Sequence, residues 1–383
     1  MQTVGVICEY NPFHLGHARQ LALIRQQLGQ EAAIVCLMSG NYVQRGEPAL
    51  LDKWTRAEAA LRCGADLVLE LPVTYALRSA EGFAAGGVEI FTRMGCIDAL
   101  CFGSEDADLN RIMSTARALD TPEFSEALKR ELKHGISFPA ARQRALEALG
   151  QSASVLETPN SILAVEYCKA LLRQNSAIEP VLVHRDGDYH AGSDPAAPSA
   201  SFLRGQTDWT GFVPENARRI FAGAARYTVE AGERAWLARL RAMSAAEFEA
   251  LPYGSEGLWR RVMTACRTEE TLADIVSAAK SKRYTHTRLM RLLLCAYLGI
   301  SEALLSASAP YVRVLAVDSR GQGVLRQAKK TGELLLLHTG ERAPACEYAE
   351  LERRAADLYG LFGTADHFAV NRERTARLFR APQ

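Results

Sequence analysis

Across the first half of the chain, short apolar runs alternate with longer stretches in which apolar residues recur at helical spacing. TVGVICEY (3–10) is the first such run and AAIVCLMSG (32–40) the second; ADLVLELP (65–72), DALCFGSE (98–105) and EPVLVHRDG (179–187) follow. Continuous apolar runs of this length read as strands buried on both faces. Between them, LGHARQLALIRQQLG (15–29) and LDKWTRAEAALRCG (51–64) have helical periodicity, and each closes on a glycine, the residue that most readily ends a helix. Residues 106–149 read as helical, with Thr121-Pro122 as a cap and first-turn pair, and SILAVEYCKALLRQ (161–174) reads as a further helix. This alternation predicts βαβ units around a parallel sheet, an α/β fold of Rossmann-like type.

The pattern then changes. Residues 186–201 are rich in Gly, Pro, Ser and Ala and read as a loop. From 206 to 310 the spacing is almost wholly helical. Strand-like runs return at YVRVLAVDS and GELLLLHTG, and a helix rich in Glu, Arg and Ala follows over 346–361. Three parts are expected: an α/β domain (1–205), a mainly helical domain (206–310) and a small α/β C-terminal segment (311–383). The chain shows no internal repeat and no low-complexity tract.

Composition sharpens this picture without redirecting it. A length of 383 residues allows two or three domains of ~150 residues each. The apolar fraction of 48% and charged fraction of 23% are ordinary for a globular protein and exclude a disordered or collagen-like chain. The richest apolar stretch, Leu289 to Ile300, is broken by Arg291, and no run approaches the ~18 residues of a membrane helix. No basic segment precedes an apolar one at the N-terminus, so no signal peptide is read there and the cytoplasm is the expected compartment. Nine cysteines, an odd count without a CxxC pair, argue against a disulfide framework and against a cysteine zinc site. A formal net charge of +1 leaves nucleic-acid binding open, since any basic footprint must be local.

Candidate chemistry concentrates just after the first strand, in Tyr10-Asn11-Pro12-Phe13-His14-Leu15-Gly16-His17. Its core is His-x-Gly-His, placed where the first helix opens. Two histidines three apart at a helix start share one side of the turn. Open backbone N–H groups and the positive end of the helix dipole would make that turn an anion site, suited to a nucleotide triphosphate. Gly16 lets a nucleotide approach the backbone, and the imidazoles of His14 and His17 can stabilise charge as pyrophosphate leaves. Ordinary helix-start histidines are the plainer reading, but the position at the first β-to-α turn of an open α/β sheet favours nucleotide binding. GxGxxG and GxxxxGK[ST] motifs are both absent, which excludes the usual dinucleotide fold and the P-loop.

Two further groups of polar residues stand out. Asn41, Gln44, Arg45, Asp52 and Lys53 follow the second strand. A parallel sheet brings them to the same edge as His14, so Arg45 and Lys53 could serve phosphate or RNA; a solvated loop is the alternative. Between 260 and 291, eight basic residues (Arg260, Arg261, Arg267, Lys280, Lys282, Arg283, Arg288, Arg291) face three acids (Glu269, Glu270, Asp274), a local charge of +5. Tyr284 and His286 lie among them. Basic groups neutralise phosphates and aromatic faces stack on unpaired bases, although a charged solvent face of a helical domain reads the same way.

HxGH after a first strand resembles the nucleotidyltransferase superfamily that includes coenzyme adenylyltransferases and class I aminoacyl-tRNA synthetases. The resemblance is longer and narrower than that. CEYNPFHLGH, SGNYVQRGEPALLDKWTRAEAAL, GADLVLELPVTYA, SAEGFA, FGSE, TPNSILAVEY and HRDGDYH resemble, in order, the motifs of the bacterial tRNA(Met) cytidine acetate ligase family, as do PSASFLRG and KSKRYTHTRLMRLLL further on. It covers most of the chain and is weakest over the last ~70 residues. Position 15 is Leu where that family often has Asn.

The resemblance implies a two-step reaction with ATP, acetate and elongator tRNA(Met) as substrates and with Mg²⁺ accompanying ATP. Acetyl-adenylate forms first; its acetyl group then passes to the wobble cytidine. The residues matching the family's ATP-site motifs are Ile7, Cys8, Glu9, Tyr10, Asn11, Pro12, Phe13, His14, Leu15, Gly16, His17, Ala18, Arg19, Gln20, Gly103, Asn160 and Arg185, with His14 and His17 catalytic. Gly103 would leave room for adenine or ribose, or be a plain turn glycine. Asn160 would reach ribose or base, or merely cap the helix at 161. Arg185 would clamp phosphate, or be a surface arginine. The stretch Ser199 to Arg204 resembles a segment with serine and arginine that closes over phosphates, with Ser201 and Arg204 as the candidate phosphate contacts and a serine-capped helix with an exposed arginine as the alternative. Lys280, Lys282, Arg283, Arg288 and Arg291 are the candidate tRNA contacts. No metal ligands and no membrane are expected. A coenzyme adenylyltransferase and a catalytically silent RNA-binding protein are the competing readings.

Overall fold

The computed structural model describes residues 2–184, 199–364 and 369–381. Five strands match the five predicted runs: β1 (Thr3–Cys8), β2 (Ala33–Ser39), β3 (Leu67–Leu71), β4 (Ala99–Ser104) and β5 (Glu179–His184). They lie in the order β3-β2-β1-β4-β5 and pair in parallel throughout. All seven residues of β2 are buried, as expected for a strand covered on both faces. The order reverses at β1: the chain steps to β2 on one side and returns to β4 on the other. In open α/β sheets, ligands bind at the carboxyl ends of strands flanking such a reversal.

Alternating side chains supply two cores. Leu100 and Phe102 of β4 join Val35 and Leu37 of β2 on one face, beneath helices Ala80–Met94 and Pro159–Arg173. Val4 and Val6 of β1, Cys36 and Met38 of β2 and Cys101 of β4 face the opposite way, toward helices Leu15–Leu28 and Lys53–Arg62. Gly5 is needed for the first packing: a Cβ there would sit 2.6 Å from the Phe91 ring.

The 106–149 region forms three helices, Leu109–Ala118, Pro122–Leu132 and Phe138–Ala148. Thr121 caps the second, its Oγ1 accepting from Phe124 N–H at 3.2 Å, with Pro122 in the first turn. The helix expected from 161 starts earlier, at Pro159, with Thr158 at the N-cap position. Asn160 therefore sits inside the first turn, and the capping explanation for it fails.

Two parts of the expected organisation look different in three dimensions. The strands after 310 extend the first sheet: β6 (Tyr311–Val317) pairs antiparallel with β3, and β7 (Leu335–His338) and β8 (Phe379–Arg380) share its outer edge in parallel. The helical region has its own core around Trp236, Leu258, Val262 and Leu293, but Tyr42, Val73 and Leu77 enter it from the α/β part, and Leu351, Tyr359 and Phe362 from the C-terminal part. Trp209, Val213, Ala217 and Phe221 pack instead on the second α/β core. The expected divisions at 205 and 310 thus fall across shared cores. Apolar periodicity marks an element's buried face without saying which neighbour buries it.

Candidate active site

A cavity of about 350 Å³ opens at the carboxyl ends of β1, β4 and β5. Ile7, Cys8, Glu9, Tyr10, Asn11, His14, Gly16, His17, Arg19, Gln20, Gly103, Asn160, Ser201 and Arg204 all line it. Pro12, Phe13, Leu15 and Ala18 support the same turn without lining the cavity: Phe13 is fully buried against Tyr10, while Leu15 is exposed. Arg185 lies outside the described residues.

The turn after β1 is tightly determined. Tyr10 has a left-handed φ of 48°, a conformation that costs a non-glycine residue of order 1 kcal/mol. Its buried ring packs edge-on to Phe13 at 4.8 Å and against His17 at 4.8 Å, contacts that hold it there. Arg56, wholly buried, draws strand ends together by donating to the carbonyls of Glu9 (2.6 Å), Ser39 (3.1 Å), Leu51 (2.9 Å) and Gly40.

His14 is itself the N-cap of helix Leu15–Leu28. Its Nδ1 accepts from Gly16 N–H at 3.1 Å, and His17 Nδ1 accepts from His14 N–H at 3.2 Å, a reciprocal cap made by two imidazoles. The rings stack with centroids 3.6 Å apart. Because both Nδ1 atoms accept, each neutral ring carries its proton on Nε2, the donor nitrogen. The same caps correct one expectation. The open N–H groups anticipated for an anion are engaged: Leu15 N–H donates to Phe212 O at 2.9 Å, Gly16 N–H to His14 Nδ1, and His17 and Ala18 N–H to His14 O at 3.0 and 3.1 Å. Contacts to an anion must come from side chains, with the helix dipole behind them.

Arg204 is tied to this turn, donating to Asn11 O at 3.1 Å and to Ser201 Oγ at 3.1 Å. Ser199, not Ser201, caps the short helix Ala200–Arg204, accepting from Phe202 N–H at 3.2 Å. Capping therefore does not account for Ser201 or for the half-buried Arg204.

Among the described residues, two carboxylates line the cavity. Glu9 accepts from Gln44 N–H at 2.7 Å. Burial raises its pKa above the ordinary carboxylate value, against the pull of that hydrogen bond and of Arg204, Arg56 and Arg45. Glu105 accepts from Asn160 Nδ2 at 2.6 Å and from both Ser161 N–H and Oγ at 3.0 Å. Burial raises it, but these hydrogen bonds outweigh burial and hold its carboxyl below the usual value. Asn160 is thus oriented by a residue 55 positions away, which spacing along the chain does not reveal. Glu105, Leu163, Tyr167, Phe83, Phe102 and His184 also line the cavity and were missed as individual residues. The signal for Glu105 was present, as the last residue of FGSE.

The polar cluster after β2 divides. Gln44 and Arg45 line the cavity. Asn41 Oδ1 accepts from Lys53 N–H at 3.0 Å, and Asp52 caps helix Lys53–Arg62 through Thr55 N–H at 2.8 Å. Lys53 corrects the expectation of a phosphate or RNA contact: it is 1% exposed and bound to Glu70 at 2.7 Å and to Glu373. Burial alone would lower its pKa; Glu373, Glu70 and Glu352 hold it at about 12.

Of the candidate RNA contacts, Lys280, Lys282 and Arg283 are exposed, with Arg283 paired to Glu256 at 2.7 Å. Arg288 donates to Tyr253 O at 3.0 Å and to Ser255 Oγ at 3.0 Å. Arg291 turns inward, donating to Gln44 O at 3.4 Å and stacking over Tyr253. Tyr284 is only 8% exposed and donates to Glu256 O at 3.2 Å, so it offers no open face for a base. Tyr284 is buried in the turn before helix His286–Leu298 and Arg291 faces inward from that helix, outcomes invisible to charge counting. The contact between Arg291 and Gln44 has a further consequence. The short hairpin pairing Tyr42–Val43 with Glu47–Pro48 rests on helix His286–Leu298, where a Cβ on Gly46 would meet Arg291 N at 2.5 Å. The turn that carries Arg45 to the cavity is therefore seated on the basic helix.

An open parallel sheet reversing at β1, with a capped histidine pair and three arginines at its carboxyl edge, defines a nucleotidyltransferase of the HxGH type. A family model described as HIGH Nucleotidyl Transferase matches residues 1–373. The tRNA(Met) cytidine acetate ligase of Clostridium perfringens is 34% identical over 94% of this chain and 95% of its own, and that of Acetivibrio thermocellus 35% identical over 94% of each. The crystal structure of Thermotoga maritima TmcAL bound with alpha-thio ATP superposes with a TM-score of 0.89 at 29% identity, covering 100% of both chains. The chain belongs to the tRNA(Met) cytidine acetate ligase family. The coenzyme adenylyltransferase and silent RNA-binding readings give way to it.

Proposed function

We propose that this protein is an ATP-dependent ligase that converts acetate to acetyl-adenylate and transfers the acetyl group to the wobble cytidine of elongator tRNA(Met), forming N4-acetylcytidine. The reading rests on the paired imidazoles of His14 and His17 at the sheet reversal, in a chain whose relatives carry this activity in their names. In the first step an acetate oxygen attacks the α-phosphorus of ATP, a P–O bond forms, and the bond to pyrophosphate breaks. His14 and His17 donate from Nε2 to the phosphate oxygens where charge accumulates. Arg45, Arg204 and Ser201 supply further donors at the same edge. Gly103 and Asn160, the latter held by Glu105, take the nucleoside end. In the second step the cytidine N4 attacks the acetyl carbon, AMP leaves, and the amine gives up a proton.

Among the described residues, no three His, Cys, Asp or Glu side chains are grouped to hold a metal. Glu9 and Glu105, the carboxylates at the cavity, are already hydrogen-bonded. The described residues offer no dedicated Mg²⁺ cage, and Mg²⁺ would enter on the phosphates of ATP with water as its other ligands. The RNA is gripped by the exposed Lys280, Lys282 and Arg283, and helix His286–Leu298 sets that face beside the Arg45 turn. No helix among the described residues is long and apolar enough to cross a membrane, and the cytoplasm, where tRNA resides, is the proposed site of action. The test is incubation with ATP, acetate and unmodified tRNA(Met), followed by nucleoside analysis. N4-acetylcytidine that requires all three substrates supports the reading; its absence with an active protein preparation refutes it.

A further inference from the structure

The cavity is lined from both faces of the sheet, and the two sets of lining residues mark out two lobes. On one side lie helix Leu15–Leu28 with His14, Gly16 and His17, together with Gly103; Gly103 follows Cys101 in alternation and so faces that helix. A missing side chain there makes room beside the imidazoles, where a nucleotide would lie. The other lobe reaches between β1 and β4 into the opposite core. Ile7 and Phe102 face it from the strands, and Phe83 enters from helix Ala80–Met94. Below Asn160, which Glu105 holds at the sheet edge where the two lobes meet, Leu163 and Tyr167 descend one face of helix Pro159–Arg173 at helical spacing, a depth of ~10 Å from Asn160 to Tyr167.

The floor is closed by aromatic rings. Phe83 is 3% exposed, Phe102 and Tyr167 each 4%, and the latter two lie with centroids 5.7 Å apart. One polar group stands among them. The Tyr167 hydroxyl lines the cavity without a hydrogen-bond partner among the described residues. Burial raises its pKa, as do the nearby Cys8 and Glu9, so it remains a neutral O–H donor. A hydroxyl that reaches the cavity with no protein acceptor is free to donate to a ligand bound there.

Building on the acetate-activating reading above, we propose that this aromatic lobe is the carboxylic-acid subsite, in which Tyr167 O–H donates to the acid's carboxylate while Phe83 and Phe102 close around its methyl group and exclude longer chains. The lobe suits a small acid and not the adenine for three reasons. The phosphate-binding imidazoles and Gly103 belong to the other face. Cys8 and Glu9, at the end of β1, line the cavity near Tyr167 and beside the imidazoles, so an acid seated there lies next to the phosphate side. The negative charge of Glu9 beside it is offset by Arg45 and Arg204.

The experiment is ATP–pyrophosphate exchange without tRNA, with acetate, propionate or butyrate, in the wild-type protein and in Tyr167→Phe and Phe102→Leu. Tyr167→Phe removes one oxygen and leaves the packing intact, so it keeps the test valid should Phe102→Leu fold poorly; Phe83→Leu is a second enlargement. Expected are a rise of about tenfold in KM for acetate in Tyr167→Phe with KM for ATP within about twofold, and a rise of about tenfold in the propionate-to-acetate ratio of kcat/KM in the enlarged variants. An unchanged acetate KM in Tyr167→Phe, or a rise in ATP KM in its place, overturns the assignment and gives the lobe to the nucleotide. Wild-type protein that exchanges with none of the three acids refutes the activating reading itself, a failure visible before any variant is made.

Discussion

The two basic regions of the molecule meet different fates. Beside the cavity, Lys53 and Arg56 are withdrawn from water and spend their charge on Glu70, Glu373 and main-chain carbonyls, leaving Arg45 and Arg204 at the cavity wall. On helices Leu272–Ala279 and His286–Leu298 and the turn between them, Lys280, Lys282 and Arg283 stay in solvent, while Arg291 packs inward. Equal charges on paper thus become structure in one place and surface potential in the other. Burial decides which: a buried cation must be fully partnered, and a fully partnered cation has no donor left for a phosphate.

The largest effect should come from the buried side of this comparison. Lys53→Met leaves Glu70 and Glu373 without their shared cation and is expected to cost about 3–5 kcal/mol in chemical denaturation, whereas Lys282→Met should stay within ~0.5 kcal/mol. Equal losses in the two variants would erase the distinction. Next in size is the imidazole pair. His17→Ala should lower acetate-dependent ATP–pyrophosphate exchange by ~10²-fold in a folded protein; near-normal exchange would remove His17 from the reaction. Asn160→Ala should raise KM for ATP by about tenfold with little loss of stability, since Asn160 caps no helix. Lost stability with unchanged KM would make it a purely structural residue.

A pH prediction follows from the same buried cluster. Burial, reinforced by Glu70 and only partly offset by Lys53, raises the Glu352 carboxyl from 4.5 to about 8. The folded chain then holds this proton more tightly than the unfolded chain does. Its contribution to stability is full below about 4.5 and fades as the pH rises through about 8. Between those values the wild-type Tm should fall with rising pH more steeply than that of Glu352→Gln, which keeps an acceptor for Val73 N–H. Parallel Tm profiles would contradict it.

The sequence made the short-range features legible. The His-x-Gly-His turn, the first five strands and the Thr121-Pro122 cap are each set within a few residues, where periodicity and capping chemistry operate. What escaped was long-range. Glu105 and Asn160 meet across 55 positions and Lys53 and Glu373 across 320, with nothing in local spacing to join them. Lysine in a polar loop reads as solvated, and only its three acidic neighbours make burial tolerable. β6 reads correctly as a strand, yet its antiparallel place beside β3 depends on a chain path through the whole helical region. The aromatic floor of the cavity is ordinary core by composition; only its opening to the imidazole side distinguishes it.

The smallest expected effect bears most directly on the division of labour between cavity and basic face. Lys282→Ala combined with Arg283→Ala removes two exposed charges, so tRNA affinity should fall several-fold and its salt dependence by roughly one to two units of slope. Measured in the same protein, ATP–pyrophosphate exchange with acetate and no tRNA should equal wild type, because adenylate formation needs only the cavity at the ends of β1, β4 and β5. Exchange that vanishes with the two charges, or that requires tRNA even in the wild-type protein, would contradict that account.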